Sequence, residues 1–260
     1  MPFLVKRKKT RRIKIGNVKV GGTAPVVVQS MTNTFTQDIP KTVSQIHRLE
    51  KAGCEIVRVA VPDLEAAKAI SPIKQKISIP IIADIHFDCR LAVASVKSGA
   101  DGLRINPGNI GSEKKVKAIV DCAADFDIPI RIGVNSGSLE KDILKKYQGA
   151  TAEAMVESAL RNVDILRSFD VQSIKVSIKA SDVPRTVEAY RLFSATSDLP
   201  VHLGVTEAGG LFPGVVKSSL GIGMLLAEGI GDTLRVSLTR DPVEEVRVGY
   251  EILKALGLRH

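Results

Sequence analysis

Eight short runs rich in valine and isoleucine recur at fairly even intervals along the 260 residues, and this repetition restricts the fold more than any other feature. The runs cover residues 25–32, 55–61, 80–86, 102–106, 128–135, 173–179, 200–207 and 233–239. Segments with helical spacing separate them; residues 40–53, for example, repeat apolar side chains on one face and end at Gly53. Eight strand–helix repeats in about 200 to 250 residues predict an α/β fold, the (β/α)8 TIM barrel. A doubly wound open sheet is less favoured, because it rarely needs eight such even units.

The residues before the first run predict a β-hairpin. Two alternating segments, residues 13–15 and 18–20, flank the two-residue turn Gly16-Asn17. We expect this hairpin to cover the floor of the barrel. Residues 1–24 would then form a basic arm and hairpin, and residues 25–260 one barrel domain without a Pro/Ser-rich linker.

The positive charge of the chain is concentrated at its start. Lys and Arg number 37 against 28 Asp and Glu, a net charge of +9, but eight of the basic residues precede Asp38, the first acid. The rest of the chain carries 37 − 8 = 29 bases against 28 acids and is nearly neutral. Aromatic residues make up only 4% and Trp is absent, so base stacking has little support. We therefore expect a solvated basic arm and no nucleic-acid partner.

The cysteines indicate a reducing compartment. Cys54, Cys89 and Cys122 are odd in number and far apart, which predicts free thiols, no disulfide framework and no metal site in this chain. No apolar run approaches the roughly 20 residues that span a bilayer. We expect a cytoplasmic protein that does not enter membranes; a plastid location is less favoured, because the basic start lacks serine enrichment.

Charged residues fall on the inward faces of the predicted strands. Residues two apart on a strand share a face, and one face of every barrel strand points inward. Six cations take such positions: Arg58, Arg104, Arg131, Lys175, Lys179 and Arg235. Only Asp84 and Glu207 oppose them. Burying an unpaired ion costs several kcal/mol, so either a polyanionic ligand completes the site, or the two acids pair with two cations while the others extend to solvent.

Other polar residues share these faces or follow the strand ends. Asn106, Asn135 and Ser237 could support an anion, and His86 lies two residues after Asp84 on the same face. Glu207 follows the seventh strand, where barrel enzymes carry catalytic groups, although it could instead cap the next helix. His202 begins that strand and is expected to be a core residue.

Five segments together resemble one enzyme family. They are residues 28–34 (VQSMTNT), 83–87 (ADIHF), 103–109 (LRINPGN), 131–138 (RIGVNSGS) and 204–209 (GVTEAG). The resemblance is to 4-hydroxy-3-methylbut-2-enyl diphosphate synthases of the non-mevalonate isoprenoid (terpenoid) pathway, and it extends from about Arg12 to the last residue.

The resemblance implies an iron–sulfur oxidoreductase. Members of the family open the ring of 2-C-methyl-D-erythritol 2,4-cyclodiphosphate with two electrons, delivered from ferredoxin or flavodoxin through a [4Fe-4S] cluster. They work as homodimers in which the cluster domain of one subunit closes over the barrel of the other. That domain, with its Cys-Pro-x-Cys motif, would begin about where this chain ends. We therefore expect this chain to bind the cyclic diphosphate and to be inactive alone.

The resemblance also implies roles for individual residues. Eight residues would form the diphosphate site. Six would bind the diphosphate, namely Arg58, Arg104, Arg131, Lys175, Arg235 and Ser237, and Asn106 and Asn135 would assist them. The catalytic residues near the methylerythritol part would be Asp84, His86 and Glu207, with Glu207 the best candidate for proton transfer. Lys179 receives no role from the family.

Two other readings stay open from the sequence. One is a transferase similar to dihydropteroate synthase, whose barrel also handles a diphosphate-bearing substrate; its Asn-x-Thr-x-Asp-Ser-Phe run is absent from residues 30–38. The other is a barrel without catalysis, acting as an interaction module or binding nucleic acid through residues 6–12.

Overall fold

A closed barrel of parallel strands organises the molecule. The computed structural model describes residues 5–85, 88–106 and 110–259. Within them, eight parallel strands are ordered β8-β7-β6-β5-β4-β3-β10-β9, and a parallel bridge between Val176 and Val201 joins the two ends. The strands are β3 (Val27–Met31), β4 (Ile56–Ala60), β5 (Ile81–Asp84), β6 (Gly102–Ile105), β7 (Ile130–Asn135), β8 (Ile174–Lys179), β9 (His202–Leu203) and β10 (Thr233–Leu234). The predicted TIM barrel is confirmed.

Helices follow the strands and cover the outside of the barrel. They are α1 (Ile39–Lys51), α2 (Leu64–Lys74), α3 (Cys89–Lys97), α4 (Glu113–Asp125), α5 (Lys141–Lys146), α6 (Ala152–Arg167), α7 (Val183–Thr196), α8 (Leu211–Ala227) and α9 (Pro242–Ala255). Most begin where a side-chain oxygen accepts a backbone N–H of the first turn, which satisfies a donor that the helix leaves unpaired. These caps are Asp38, Asp63, Asp88, Thr151, Asp182 and Asp241.

The apolar core lies between the sheet and the helices. Outward-facing strand residues such as Ile105, Ile132 and Val176 are fully buried there. Since alternate side chains of a strand point to opposite faces, the same strands turn their polar residues into the barrel. Of the helices formed by the described residues, none combines the length and apolar character needed to cross a lipid bilayer.

The last two strands are shorter than the sequence predicts. Runs 200–207 and 233–239 each contribute only two residues to the ladder. Beyond these residues the backbone donors turn to loops and a side chain: Thr206 N–H donates to the Ala180 carbonyl at 3.1 Å, and Leu238 N–H donates to the Glu245 carboxylate at 3.0 Å. Arg235 N–H still donates to the Leu203 carbonyl of β9 at 3.0 Å, and the polar residues farther along are held by individual contacts rather than by sheet pairing.

The predicted hairpin lies under the barrel. Strands β1 (Ile13–Ile15) and β2 (Val18–Val20) pair antiparallel. Their buried side chains pack against Val27, Ile56 and Ile82, which stand at the start of the barrel strands. The hairpin therefore seals the floor with apolar surface, as the sequence predicts.

The basic arm, in contrast, is not simply solvated, and that expectation is wrong. Arg7 donates to the carbonyls of Ala24 and Gly231 and pairs with Asp232 at 3.3 Å. Asp232 is 1% exposed and also accepts from Thr10 Oγ1 at 2.8 Å. Burial raises the pKa of this carboxyl, against the opposing effect of these donors. A buried acid needs a cation, and the arm supplies it.

We expect Arg7→Met to lower the free energy of unfolding by about 2 kcal/mol, because the substitution removes charged hydrogen bonds and leaves Asp232 buried without its guanidinium. Lys9→Met, at an exposed position of the same arm, is the control and should leave stability unchanged. Urea denaturation of both variants measures the difference. Equal midpoints would show that the arm does not stabilise the barrel.

Candidate functional site

Neighbouring strands bring the inward-facing cations together. Arg104, Arg131 and Lys175 are partners in register on β6, β7 and β8, and Asp84 on β5 continues the row. Partners in register lie side by side and point to the same face of the sheet. The sheet therefore places one acid and three bases in a single row across four strands.

Asp84 neutralises part of this charge. Its carboxylate, 5% exposed, pairs with Arg104 Nη1 at 3.1 Å and with Arg58 Nε at 3.3 Å. Burial lowers the pKa of Arg58 to about 10, Asp84 opposes that shift, and the charges of Arg235 and Arg104 add to it. Asp84 thus serves two guanidinium groups at once.

A second acid, Glu245 of α9, was missed from the sequence. It is 2% exposed and pairs with Arg235 through two bonds, Nε to Oε2 at 3.1 Å and Nη2 to Oε1 at 3.2 Å. The detectable signal was a glutamate on the apolar face of a helix, between Pro242 and Gly249 at helical spacing. The alternative in which Glu207 pairs with a cation is not seen; Glu207 is exposed and enters no ion pair among the described residues.

Of the six inward-facing cations, three form no ion pair within 4 Å in the described part of the chain: Arg131, Lys175 and Lys179. Arg131 is 3% exposed and its Nε and Nη1 atoms lack hydrogen-bond partners there, as does Lys175 Nζ at 1% exposure. Burial lowers the pKa of all three groups well below the usual values, and nearby cations lower it further. Asp84 opposes the pKa shift of Arg131, and Asp232 opposes that of Lys175. The site therefore holds uncompensated positive charge.

Two glycines make room for the cations. A Cβ at Gly133 would overlap the guanidinium of Arg104, which donates to the Gly133 carbonyl at 3.1 Å. A Cβ at Gly204 would overlap Lys179 Nζ. Since any larger residue would displace these groups, both positions require glycine.

The cations border two adjoining cavities at the carboxyl ends of the strands. The inner cavity, of about 140 Å³, is lined by Arg58, Asp84, Arg104, Arg131, Asn135, Ser177, Lys179, Val205, Thr206, Arg235 and Ser237. The outer cavity, of about 460 Å³, is lined by Arg104, Asn106, Gly133, Asn135, Ser136, Gly137, Ser138, Ser181, Thr206 and Glu207. Arg104, Asn135 and Thr206 border both.

Most of the residues singled out in the sequence meet here, with three exceptions. His86 lies outside the described residues. Lys175 borders neither cavity, since it stands two alternate positions below Lys179 on β8, and Lys179 lines the inner cavity instead. His202 is a fully buried core residue, as expected, with Nδ1 2.8 Å from Thr233 Oγ1.

Glu207 and Asn106 stand at the outer cavity. Glu207 follows β9 in a turn with φ of +50°, a conformation that few non-glycine residues adopt and that often marks functional positions. Asn106 is 4% exposed, and neither of its amide atoms has a partner among the described residues. Buried amides without partners are rare, so Asn106 offers a donor and an acceptor to a ligand.

The described residues do not fit an iron–sulfur cluster. They contain no group of three or more His, Cys, Asp or Glu side chains close enough to hold a metal ion. Cys54 and Cys122 are buried on different elements, and Cys89 begins α3. Burial raises the pKa of the Cys54 thiol to about 12, which opposes metal binding by its thiolate.

A closed parallel barrel whose mouth carries uncompensated arginine and lysine side chains defines a TIM-barrel protein with an anion-binding site. The family description "GcpE TIM-barrel domain" matches residues 10–250. The chain is 60% identical over 255 residues to 4-hydroxy-3-methylbut-2-en-1-yl diphosphate synthase (flavodoxin) of Pseudomonas paraeruginosa, covering 98% of this chain and 69% of the relative. The corresponding synthase of Caldanaerobacter subterraneus is 61% identical over 252 residues, 97% of this chain and 71% of the relative. The chain belongs to this family, the 4-hydroxy-3-methylbut-2-en-1-yl diphosphate synthases.

Solved structures with little sequence similarity share the fold. Dihydropteroate synthase from Stenotrophomonas maltophilia superposes with a TM-score of 0.66 at 11% identity, covering 95% of this chain and 99% of the other. N-acetylneuraminic acid synthetase from Leptospira borgpetersenii gives a TM-score of 0.67 at 14% identity, covering 97% and 92%. These likenesses establish the barrel architecture alone.

We expect Asp84→Asn to destabilise the protein by about 3 kcal/mol, because two buried guanidinium groups lose their shared counter-charge. Asp121→Asn, which removes an exposed acid paired with Lys117 on α4, should change stability by less than about 1 kcal/mol. Chemical denaturation compares the two. Similar losses in both variants would mean that Asp84 is not needed to balance the charge in the barrel.

Proposed function

We propose that this chain is the substrate-binding barrel of a synthase that reductively opens 2-C-methyl-D-erythritol 2,4-cyclodiphosphate. The observation that carries the proposal is the set of inward-facing cations that form no ion pair in the described structure, of which Arg131 and Lys179 line the inner cavity. A cyclic diphosphate presents two anionic phosphates, and guanidinium groups match phosphate oxygens with paired hydrogen bonds. The family membership supports the choice of this diphosphate over other polyanions.

Individual roles follow from position. We assign the diphosphate to the inner cavity, with Arg58, Arg104, Arg131, Asn135, Lys179, Arg235 and Ser237 around it. Lys179 takes the direct contact that the resemblance gave to Lys175, and Lys175 supplies positive charge from below. The outer cavity would hold the methylerythritol part near Asn106, with Glu207 as the proton-transfer residue. Asp84 would orient Arg58 and Arg104 next to the methylerythritol part. His86 remains a candidate catalytic residue because of the resemblance.

The reduction itself requires an electron donor and an iron–sulfur cluster. The relatives are named for flavodoxin, and we propose flavodoxin as the electron donor of this protein, with ferredoxin as the alternative. Because the described residues do not fit the [4Fe-4S] cluster that the family implies, no step through the cluster is assigned to them. We further propose residues 1–24 as arm and hairpin, residues 25–260 as the barrel domain, and a cytoplasmic location consistent with three unpaired cysteines.

We also propose a homodimer, as the family resemblance implies, formed through α8. This helix exposes an apolar stripe at every fourth residue: Phe212 (82% exposed), Val216 (56%), Leu220 (53%) and Met224 (41%). The stripe is self-complementary, since an antiparallel copy would place Phe212 against Met224 and Val216 against Leu220. Such isologous contacts are typical of two-fold dimers.

The binding proposal predicts that calorimetric titration with the cyclic diphosphate gives saturable binding, and that Arg131→Met weakens it about tenfold or more through loss of charged hydrogen bonds. Arg161→Met removes one positive charge from the exposed side of α6 and should bind as the wild type does. Undiminished affinity in Arg131→Met would refute the role of the buried cations.

The dimer proposal predicts that Leu220→Lys, in the middle of the stripe, shifts the protein from dimer to monomer in sedimentation velocity. A buried lysine at the interface would lose hydration without gaining a partner. Leu64→Lys, at a 48% exposed apolar position on α2, is the control and should sediment as the wild type does. A wild-type protein that is monomeric at high concentration would refute this interface.

A further inference from the structure

The buried carboxylate of Glu245 accepts four hydrogen bonds inside the barrel wall. Oε1 accepts from Arg235 Nη2 at 3.2 Å and from the backbone N–H of Leu238 at 3.0 Å. Oε2 accepts from Arg235 Nε at 3.1 Å and from Ser30 Oγ at 3.2 Å. A carboxylate has about four acceptor positions, and all of them are used here. The burial of this charge is therefore matched by a complete set of donors.

One of these bonds, from the Leu238 N–H, supports the segment beyond the end of β10. Strand β10 ends at Leu234, yet Arg235 and Ser237, which follow it, both line the inner cavity. The segment is held at its start by Arg235 N–H on the Leu203 carbonyl and further on by Leu238 N–H on Glu245. Glu245 is thus one of several acceptors that hold the segment, together with the carbonyls of Leu203 and Gly209.

The same carboxylate determines which edge of Arg235 faces the ligand. With Nε and Nη2 bound to Glu245, Nη1 is the remaining nitrogen, and it lies 3.6 Å from Met31 Sδ. A thioether is a weak acceptor. Among the described residues Nη1 has no stronger acceptor, so it stays available for an oxygen of the ligand.

A glutamine could not take this position. Its amide has one oxygen, and its NH₂ group would meet donors from Arg235 and Leu238 in one orientation and from Arg235 and Ser30 in the other. Donors facing donors in a buried site cost free energy and would turn the guanidinium away. The arrangement therefore depends on the negative charge of Glu245 as well as on its size.

We propose that Glu245 is a positioning residue for substrate binding: it holds Arg235 so that Nη1 points into the inner cavity at the diphosphate. Glu245 touches no ligand itself and acts through Arg235. The inference rests on the proposed function, because it assumes that the inner cavity binds the cyclic diphosphate.

The first experiment compares Glu245→Gln with Glu244→Gln, the neighbouring exposed glutamate paired with Arg247. Calorimetric titration with the cyclic diphosphate should show affinity about tenfold weaker in the first variant and unchanged in the second. If the wild type does not bind, the proposed function fails. If the wild type binds and Glu245→Gln binds equally well, the positioning role is refuted while the proposed function stands.

The second experiment separates positioning from general support of the fold. In an Arg235→Met background, Glu245→Gln should weaken binding by less than about threefold, since the group through which it acts is already gone. A repeated tenfold loss would show a merely structural role and overturn the inference. Should Glu245→Gln fail to fold, Arg235→Met/Glu245→Leu replaces the ion pair by apolar side chains, which buried sites tolerate, and its affinity should equal that of Arg235→Met alone.

Discussion

The positive charge held inside the barrel is the constraint on which the rest of the site depends. Arg131 and Lys175 are almost fully buried and form no ion pair within 4 Å in the described structure. Taking such charges out of water is costly, and burial lowers their pKa accordingly. An anionic ligand bound beside these groups would offset this free-energy cost. Asp84 and Glu245 offset part of the charge and leave the remainder unpaired.

The barrel separates this polar interior from the apolar surfaces that stabilise it. Outward residues of each strand pack against the helices, and the floor is sealed by the hairpin on Val27, Ile56 and Ile82. Charged residues stand above that floor, towards the carboxyl ends of the strands. The stabilising contacts and the proposed ligand site therefore occupy different faces and different ends of the same strands, which is the usual division in this fold.

Fold and family contribute different information about function. Dihydropteroate synthase shares the barrel at 11% identity, and a likeness at that level gives no information about the reaction of this chain. Relatives about 60% identical over nearly the whole chain define the family. These relatives are longer than this chain, which covers 69% of the Pseudomonas paraeruginosa protein.

The sequence by itself determined the barrel, the hairpin and the inward cations, because strand alternation and turn residues are local patterns. It also identified the family from short segments such as residues 131–138. Tertiary structure alone decided which acids meet which bases: Glu245 reaches Arg235 from a helix, and Asp232 reaches Arg7 across the barrel floor. It also decided that Lys179 rather than Lys175 borders the cavity. Such pairings depend on how separate elements meet in space, and periodicity within one element contains no information about them.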